Sequence, residues 1–200
     1  MDNLQKFETI AKTLHRCGYT VLQFATSEDA KKYLNGICVG KRVGIGSSVT
    51  LNSMGFPECL INTAKELYLH EKGEYGQSEH SALTAELYLT SANAISKDGN
   101  IVNIDGTGNR VGATIFGPER VIYVVGKNKI VATLTDALNR AKSTAVKMAS
   151  LLNLKTPCAT TKKCTNCYSP DCICAVTSIH RRKPNGIEIS ILLIDEKLGL

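Results

Sequence analysis

The sequence has no tryptophan, only 6% aromatic residues, and no apolar run near the roughly 20 residues that a membrane-spanning helix needs. Its N-terminal segment "MDNLQKFETIAKTLHRCG" is charged and amphipathic and lacks the apolar region of a secretory signal. We therefore expect a cytoplasmic protein with no membrane span, in a compartment where thiols stay reduced. Apolar residues make up 43% of the chain and charged residues 21%, a composition typical of a folded globular protein.

Histidine and the common catalytic motifs are scarce as well. The four histidines are His15, His70, His80 and His180. Their positions show no metal-ligand spacing, and the chain contains neither a nucleophile elbow nor a Walker A sequence. The net charge is +6, and the basic group at residues 181–183 has no interleaved aromatics, which favours a solvated turn over a nucleic-acid site. A cationic surface of this kind suits small anionic ligands.

Apolar periodicity alternates between helix and strand along the chain. We predict a helix over residues 2–17, a strand at "YTVLQFA", a helix capped by Thr26, and a long helix with Thr135 as its N-cap. This alternation predicts an α/β fold with a mostly parallel sheet flanked by helices, in one domain spanning residues 1–200. A short turn joins the last two strands, "AVTSIHRR" and "IEISILLIDE", so we expect them to form an antiparallel edge.

The segment "GIGSSVT", residues 44–50, follows a short buried strand. Gly44 and Gly46 allow a tight turn, and the hydroxyls of Ser47, Ser48 and Thr50 would lie beside the free N–H groups of a helix start. One interpretation is a binding site for a phosphate or carboxylate. The other is a strand-to-helix turn capped by serine, and the sequence leaves both open.

Residues 91–110 form a second polar segment. Its candidate ligand-binding residues are Asn93, Gly106, Gly108, Asn109 and Arg110, with Asp105 as acceptor or base. Asp98 and Gly99 lie between two strand-like runs and predict a hairpin turn. A bidentate clamp by Arg110 would hold an anion, so we expect Arg110→Ala to weaken anion binding by ~2 kcal/mol or more. We also expect that substitution to leave folding largely intact.

Five of the eight cysteines fall within residues 158–174. The C-x₂-C pair of Cys164 and Cys167, flanked by Cys158 and Cys174, is compatible with a four-thiolate site for zinc or an iron–sulfur cluster. The segment lacks the second close pair of a standard zinc ribbon, so reduced thiols in a structured loop are an equal alternative. Disulfides are a third alternative, although a reducing compartment makes them transient.

The three segments "LTSANAISKDGNIVNIDGTGNRVGATIFGPERVIYVVGKNKIV", "TPCATTKKCTNCYSPDCIC" and "ISILLIDEKLGL" resemble the lactate-utilisation (LUD) domain family, in its short LutC-like branch. The resemblance implies a Rossmann-like fold similar to the superfamily of ribose-5-phosphate isomerase and the CoA transferases. It also implies one pocket with "GIGSSVT" on one wall and Asp105–Arg110 on the other. In that pocket, Glu86 and Asp105 are candidate catalytic residues, and Lys129 would add a positive charge.

The same resemblance implies a role in the oxidation of L-lactate to pyruvate, as a LutC-like subunit that binds a small anionic ligand. The chain lacks the C-x₂-C-x₂-C-x₃-C-P pattern of ferredoxin-type clusters, so iron–sulfur partner subunits are expected to carry the electrons. The alternatives are a stand-alone enzyme acting on a sugar phosphate or acyl-CoA, and a non-catalytic ligand-binding or assembly subunit. A homo-oligomer is compatible with each of them.

Overall fold

A computed structural model of the protein describes residues 5–69 and 77–200. The strands in these residues are β1 (Thr20–Phe24), β2 (Arg42–Ile45), β3 (Glu66–Leu69), β4 (Leu87–Thr90), β5 (Ala94–Ser96), β6 (Ile101–Asp105), β7 (Arg120–Gly126), β8 (Ile130–Val131), β9 (Val176–His180) and β10 (Glu188–Ile194). The α-helices are α1 (Gln5–Arg16), α2 (Ser27–Cys38), α3 (Val49–Ser53), α4 (Gln77–Ala82), α5 (Asn109–Ala113), α6 (Leu134–Leu151) and α7 (Pro157–Thr161). Two short 3₁₀ helices span Glu58–Leu60 and Lys127–Lys129.

Six strands form a fully parallel main sheet in the order β1-β10-β7-β4-β2-β3. Its central strands read as continuous apolar runs because both of their faces are covered. In β10, for example, Ile191 and Leu193 enter the core on one face while Leu192 and Ile194 enter the core on the other. The predicted α/β class, with a mostly parallel sheet flanked by helices, is confirmed.

The remaining four strands form a second, mixed sheet in the order β8-β5-β6-β9. The predicted hairpin is present, since β5 and β6 pair antiparallel and Gly99 has a φ of +94° in the turn. Helix α6 packs on this sheet through small residues, with Ala137 and Ala141 buried against Ala94 and Val102. Among the described residues, no helix is both long and apolar enough to cross a membrane.

The predicted pairing of the last two strands is wrong. β9 pairs antiparallel with β6 in the second sheet, whereas β10 lies between β1 and β7 in the main sheet. Their burial explains the separation. β9 is only partly buried, with Ser178 and His180 covered, whereas nearly all of β10 is buried and needs cover on both faces. The antiparallel strands thus belong to a separate sheet.

The helix starts are set by local hydrogen bonds. Thr26 caps α2 as predicted, accepting a hydrogen bond from the backbone N–H of Asp29. The predicted cap at Thr135 is wrong, because Thr133 caps α6 and forms a reciprocal capping box with Asp136. Of Thr133 and Thr135, only Thr133 is followed three positions later by an acidic residue that can complete a capping box. The predicted first helix is described from Gln5 to Arg16, and its first residues lie outside the described part.

Gly117 is expected to be the glycine least tolerant of a side chain. Its φ is +132°, and an added Cβ would overlap the backbone oxygen of Leu83. We expect Gly117→Ala to lower the free energy of unfolding by about 2 kcal/mol, since it adds both backbone strain and a clash. Gly36→Ala is the matched control: it lies within α2 with nothing within 4 Å of its Cβ position. That substitution should raise stability by roughly 0.5–1 kcal/mol. Urea denaturation of both variants measures the difference, and equal stabilities would contradict the clash.

Candidate functional site

A cleft of about 540 Å³ lies where β2, β4 and β6 end. The polar segments that follow these strands line it together with one face of α6; their lining residues are 47–50, 91–93, 105–107 and 109–110. Ligands in open α/β sheets bind beyond the carboxyl ends of strands, where backbone and side-chain polar groups face outward. The structure thus brings the two polar segments of the sequence into one cleft, and their roles in binding remain predictions.

Lys129 is the buried cation of this cleft. Its side chain lines the cleft, yet the residue is only 5% exposed. Its Nζ donates hydrogen bonds to Thr50 Oγ1 at 2.7 Å and to Ser91 Oγ at 2.8 Å. The pKa of Lys129 is lowered to about 7, mainly by burial and in addition by repulsion from Arg140 and Arg110. The amine therefore changes charge near neutral pH.

Arg110 binds the protein's own backbone. Its Nη2 donates to Ile104 O at 2.5 Å, and its Nη1 donates to Asn103 Oδ1 at 3.0 Å and to Ser91 O at 3.4 Å. The Arg110 side chain is 15% exposed, and its Nε lies 4.0 Å from Asp105 Oδ2. The guanidinium joins the end of β4 to the end of β6, so it has a structural role in addition to the predicted one. The expectation that its removal leaves folding intact is revised accordingly.

Asp105 is held at the start of a short helix. Its Oδ2 accepts a hydrogen bond from the backbone N–H of Val111 at 3.1 Å. Gly108, with a φ of +94°, is the residue from which α5 begins, and Asn109 is the first residue of that helix. At Gly106 an added Cβ would lie 3.1 Å from Ile173 Cα, so the cysteine segment packs directly on this loop. Asp105 faces the cleft as a fixed carboxylate.

The "GIGSSVT" turn contains features of both sequence interpretations. Ser48 is the N-cap of α3 and accepts from the backbone N–H of Leu51 at 3.3 Å, as expected for a capped turn. Thr50 instead contacts Lys129, while Ser47 and Ser48 line the cleft. Gly46 approaches Arg110 and the Tyr88 hydroxyl too closely for a Cβ, and Gly44 is packed inside β2 against Tyr88 and Ala82.

Two other predicted residues differ in their placement. Asn93 lines the cleft, and its side chain bridges to β6, accepting from the backbone N–H of Ile104 at 2.8 Å. Glu86 precedes β4, at the opposite end of that strand, and pairs with Lys41 at 2.9 Å. The hydrogen bond from Lys41 lowers the pKa of Glu86. The structure therefore does not bring Glu86 to the cleft.

A model of the LUD domain family matches residues 7–194. The chain belongs to the LUD domain family. The resemblance to the LUD domain family seen in the sequence is confirmed. A search of curated proteins finds no match to this LUD protein. Among solved structures, the crystal structure of a DUF162 family protein from Deinococcus radiodurans is similar over 97% of this chain and 99% of that chain, with a TM-score of 0.55 and 12% identity. At that identity the similarity shows a shared fold.

Two residues that the sequence did not predict bear on the LUD cleft: Ser91 lines it, and the charge of Arg140 helps to lower the pKa of Lys129. Ser91 follows β4 directly and donates from its hydroxyl to Val124 O at 2.6 Å while accepting from Lys129. Its position at a strand end was a usable indication. Arg140 lies on α6, where it donates to the backbone oxygens of Asn128, Asn93 and Leu200, and burial lowers its pKa. No sequence pattern distinguishes Arg140 from an exposed arginine on the same helix.

The cysteine segment of the LUD protein encloses a second cavity of about 270 Å³, which we call the cysteine cavity. The thiols that line it are those of Cys158, Cys164, Cys167, Cys172 and Cys174. None of the eight cysteines, all within the described residues, forms a disulfide. In residues 5–69 and 77–200, no three histidine, cysteine, aspartate or glutamate side chains are arranged to hold a metal ion.

Of the four histidines in the sequence, His70 lies outside the described residues.

Proposed function

We propose that this LUD protein acts as a LutC-like subunit in the oxidation of L-lactate to pyruvate, and that its cleft binds the small carboxylate anion. This proposal rests on the buried amine of Lys129. Its Nζ donates hydrogen bonds to the hydroxyls of Thr50 and Ser91, which line the cleft. A buried ammonium is costly unless an opposite charge offsets its desolvation. A bound carboxylate supplies that charge and raises the pKa of Lys129.

The charges around the cleft favour an anion over a neutral ligand. Lys129 feels the positive charges of both Arg110 and Arg140, which help to lower its pKa. The carboxylate of Asp105, 4.0 Å from Arg110 Nε, already accepts a hydrogen bond from the backbone N–H of Val111 in α5. Such an excess of positive charge in a cleft attracts small anions. The neighbouring hydroxyls of Ser47 and Ser48 suit the oxygen atoms of a hydroxy acid or an oxo acid.

Lactate oxidation removes two electrons and two protons from the substrate carbon and its hydroxyl group. Asp105 is proposed as the acceptor of the hydroxyl proton, because it is the carboxylate that faces the cleft. The proton from the substrate carbon and both electrons also require acceptors, and we propose that partner subunits carrying iron–sulfur clusters provide them. The proposal therefore assigns to this chain the binding and orientation of the acid within a larger assembly.

Isothermal titration calorimetry of the isolated chain with L-lactate and pyruvate tests the proposal. We expect both acids to bind at pH 6 and L-lactamide, which has the same shape without the charge, to fail to bind. Affinity for the acids should fall as the pH rises from 6 to 8, because the protonated form of Lys129 binds the anion and its pKa is about 7.

Two results would contradict the proposal. Equal binding of L-lactate and L-lactamide would show that charge does not govern recognition. Binding of a sugar phosphate or an acyl-CoA, with neither acid bound, would assign the cleft to the isomerase-like or transferase-like alternative. Repeating the titration in the presence of an excess of a sugar phosphate or of an acyl-CoA separates these outcomes.

A further inference from the structure

We propose that the cysteine cavity binds an iron–sulfur cluster, ligated by the thiolates of Cys158, Cys164, Cys167 and Cys174. This inference is independent of the ligand proposed for the cleft. The cavity walls contribute thiols from three consecutive parts of the chain: α7, the loop after it, and the segment that enters β9. A cluster needs several ligands around one space, and all four of these cysteines line the same cavity.

The donor set is soft throughout. The cavity is lined by five cysteines and contains no histidine, aspartate or glutamate among its lining residues. Thiolate-only sites select zinc, copper(I) or iron–sulfur clusters over hard cations such as magnesium or calcium. The remaining wall is largely apolar, formed in part by Ile104, Val146 and Ala149. Such a wall limits the access of water to a bound cluster.

The size of the cavity suits a cluster better than a single ion. One tetrahedral zinc lies roughly 2.3 Å from each sulfur, which requires sulfurs within about 3.8 Å of one another. In residues 5–69 and 77–200 no three histidine, cysteine, aspartate or glutamate side chains are arranged to hold one metal ion. Five cysteines instead line a cavity of about 270 Å³. A four-iron cluster binds one thiolate per iron and would lie within such a cavity.

The charges near the cavity also suit a cluster. Lys142 lines the same cavity and donates to Asn166 Oδ1 at 3.2 Å, which places an ammonium beside the anionic site.

Cys172 is placed to support the cluster without ligating it. Its thiol forms a hydrogen bond with Cys174, two residues further along the chain. Hydrogen bonds to ligating sulfurs tune the potential of a cluster. The cysteine cavity shares Ile104, Ala145 and Ile173 with the cleft, so a cluster would lie immediately behind the ligand site.

Anaerobic purification without chelator, followed by reconstitution with iron and sulfide, tests the inference. We expect about four irons and about four acid-labile sulfides per chain, a broad visible absorption, and an electron paramagnetic resonance signal after reduction by dithionite. Close to one zinc per chain and no sulfide-dependent iron would overturn the cluster. Protein free of metal, with all five thiols reactive towards an alkylating reagent after reconstitution, would overturn it as well.

Cysteine variants test the ligand assignment. Cys164→Ser is the first choice because Cys164 is exposed, so its replacement leaves the core unchanged, and we expect it to lose most of the bound iron. Cys59→Ser, in a half-buried cysteine outside the cavity, is the matched control and should retain all of it. Cys172→Ser should retain the iron with a shifted reduction potential. Loss of iron in Cys172→Ser, or full iron in Cys164→Ser with a native thermal transition, would contradict the assignment.

Discussion

Replacing Lys129 by methionine is expected to weaken binding of L-lactate or pyruvate at pH 6 by about tenfold to a hundredfold. A hydrogen bond to a charged group contributes roughly 1.5–3 kcal/mol, and each 1.4 kcal/mol corresponds to about a factor of ten in affinity. Methionine keeps a similar length and fills the space of the buried side chain without its charge. Isothermal titration calorimetry of the variant and the unmodified protein measures the difference.

Lys127→Met is the matched control for this experiment. Lys127 belongs to the same 3₁₀ helix as Lys129, but its Nζ is partly exposed and pairs with Asp195 at 2.9 Å. The control thus removes the same charge from the same element without changing the cleft. We expect it to retain native affinity. Equal losses in both variants would show that net charge, and not the buried amine, governs binding.

Lys129→Met should also change how stability depends on pH. The pKa of Lys129 is about 7 in the folded protein, compared with 10.5 as its ordinary value. Between these values the unfolded chain retains a proton that the folded chain releases, so the free energy of unfolding of the unmodified protein rises with pH. The variant lacks this contribution. Its stability relative to the unmodified protein should fall by an amount on the order of 2 kcal/mol between pH 6 and pH 9. If urea denaturation shows that the stabilities of the variant and the unmodified protein change in parallel between pH 6 and pH 9, Lys129 does not titrate in that range in the folded protein.

Arg110→Ala is expected to lower the free energy of unfolding by about 3 kcal/mol, because it leaves buried carbonyl groups without their donor. The guanidinium donates to the backbone oxygens of Ser91 and Ile104 and to the side chain of Asn103. Its methylene groups also pack against Gly46. Urea denaturation at pH 7 measures the loss.

Arg181→Ala provides the control for Arg110→Ala, since Arg181 is an exposed arginine in the turn after β9. It should leave the unfolding transition unchanged. Arg110→Lys should recover only part of the lost stability, because an ammonium cannot reproduce the planar set of donors that reaches three oxygens. A stable Arg110→Ala variant with weakened anion binding would instead restore the simpler assignment of Arg110 as a ligand clamp.

Short-range sequence patterns were enough to predict several local elements and the class of fold. The cap at Thr26 and the turn at Gly99 depend on short-range hydrogen bonds and backbone preferences, which a few neighbouring residues specify. The alternation of helix-like and strand-like segments indicated a mostly parallel sheet flanked by helices, and the structure has this architecture. The resemblance to the LUD domain family implied one pocket with residues 44–50 on one wall and 105–110 on the other, and residues of both segments line one cleft.

Contacts between residues far apart in the chain specify which sheet each of the last two strands joins, and which charges are buried. Lys129 meets hydroxyls that lie 79 and 38 residues earlier in the chain, and Glu86 lies at the far end of its strand. A periodic sequence pattern shows which face of a helix or strand is apolar. The desolvation of a charged side chain and its repulsion by other charges depend instead on all of its neighbours in space, and those neighbours meet only when the chain folds.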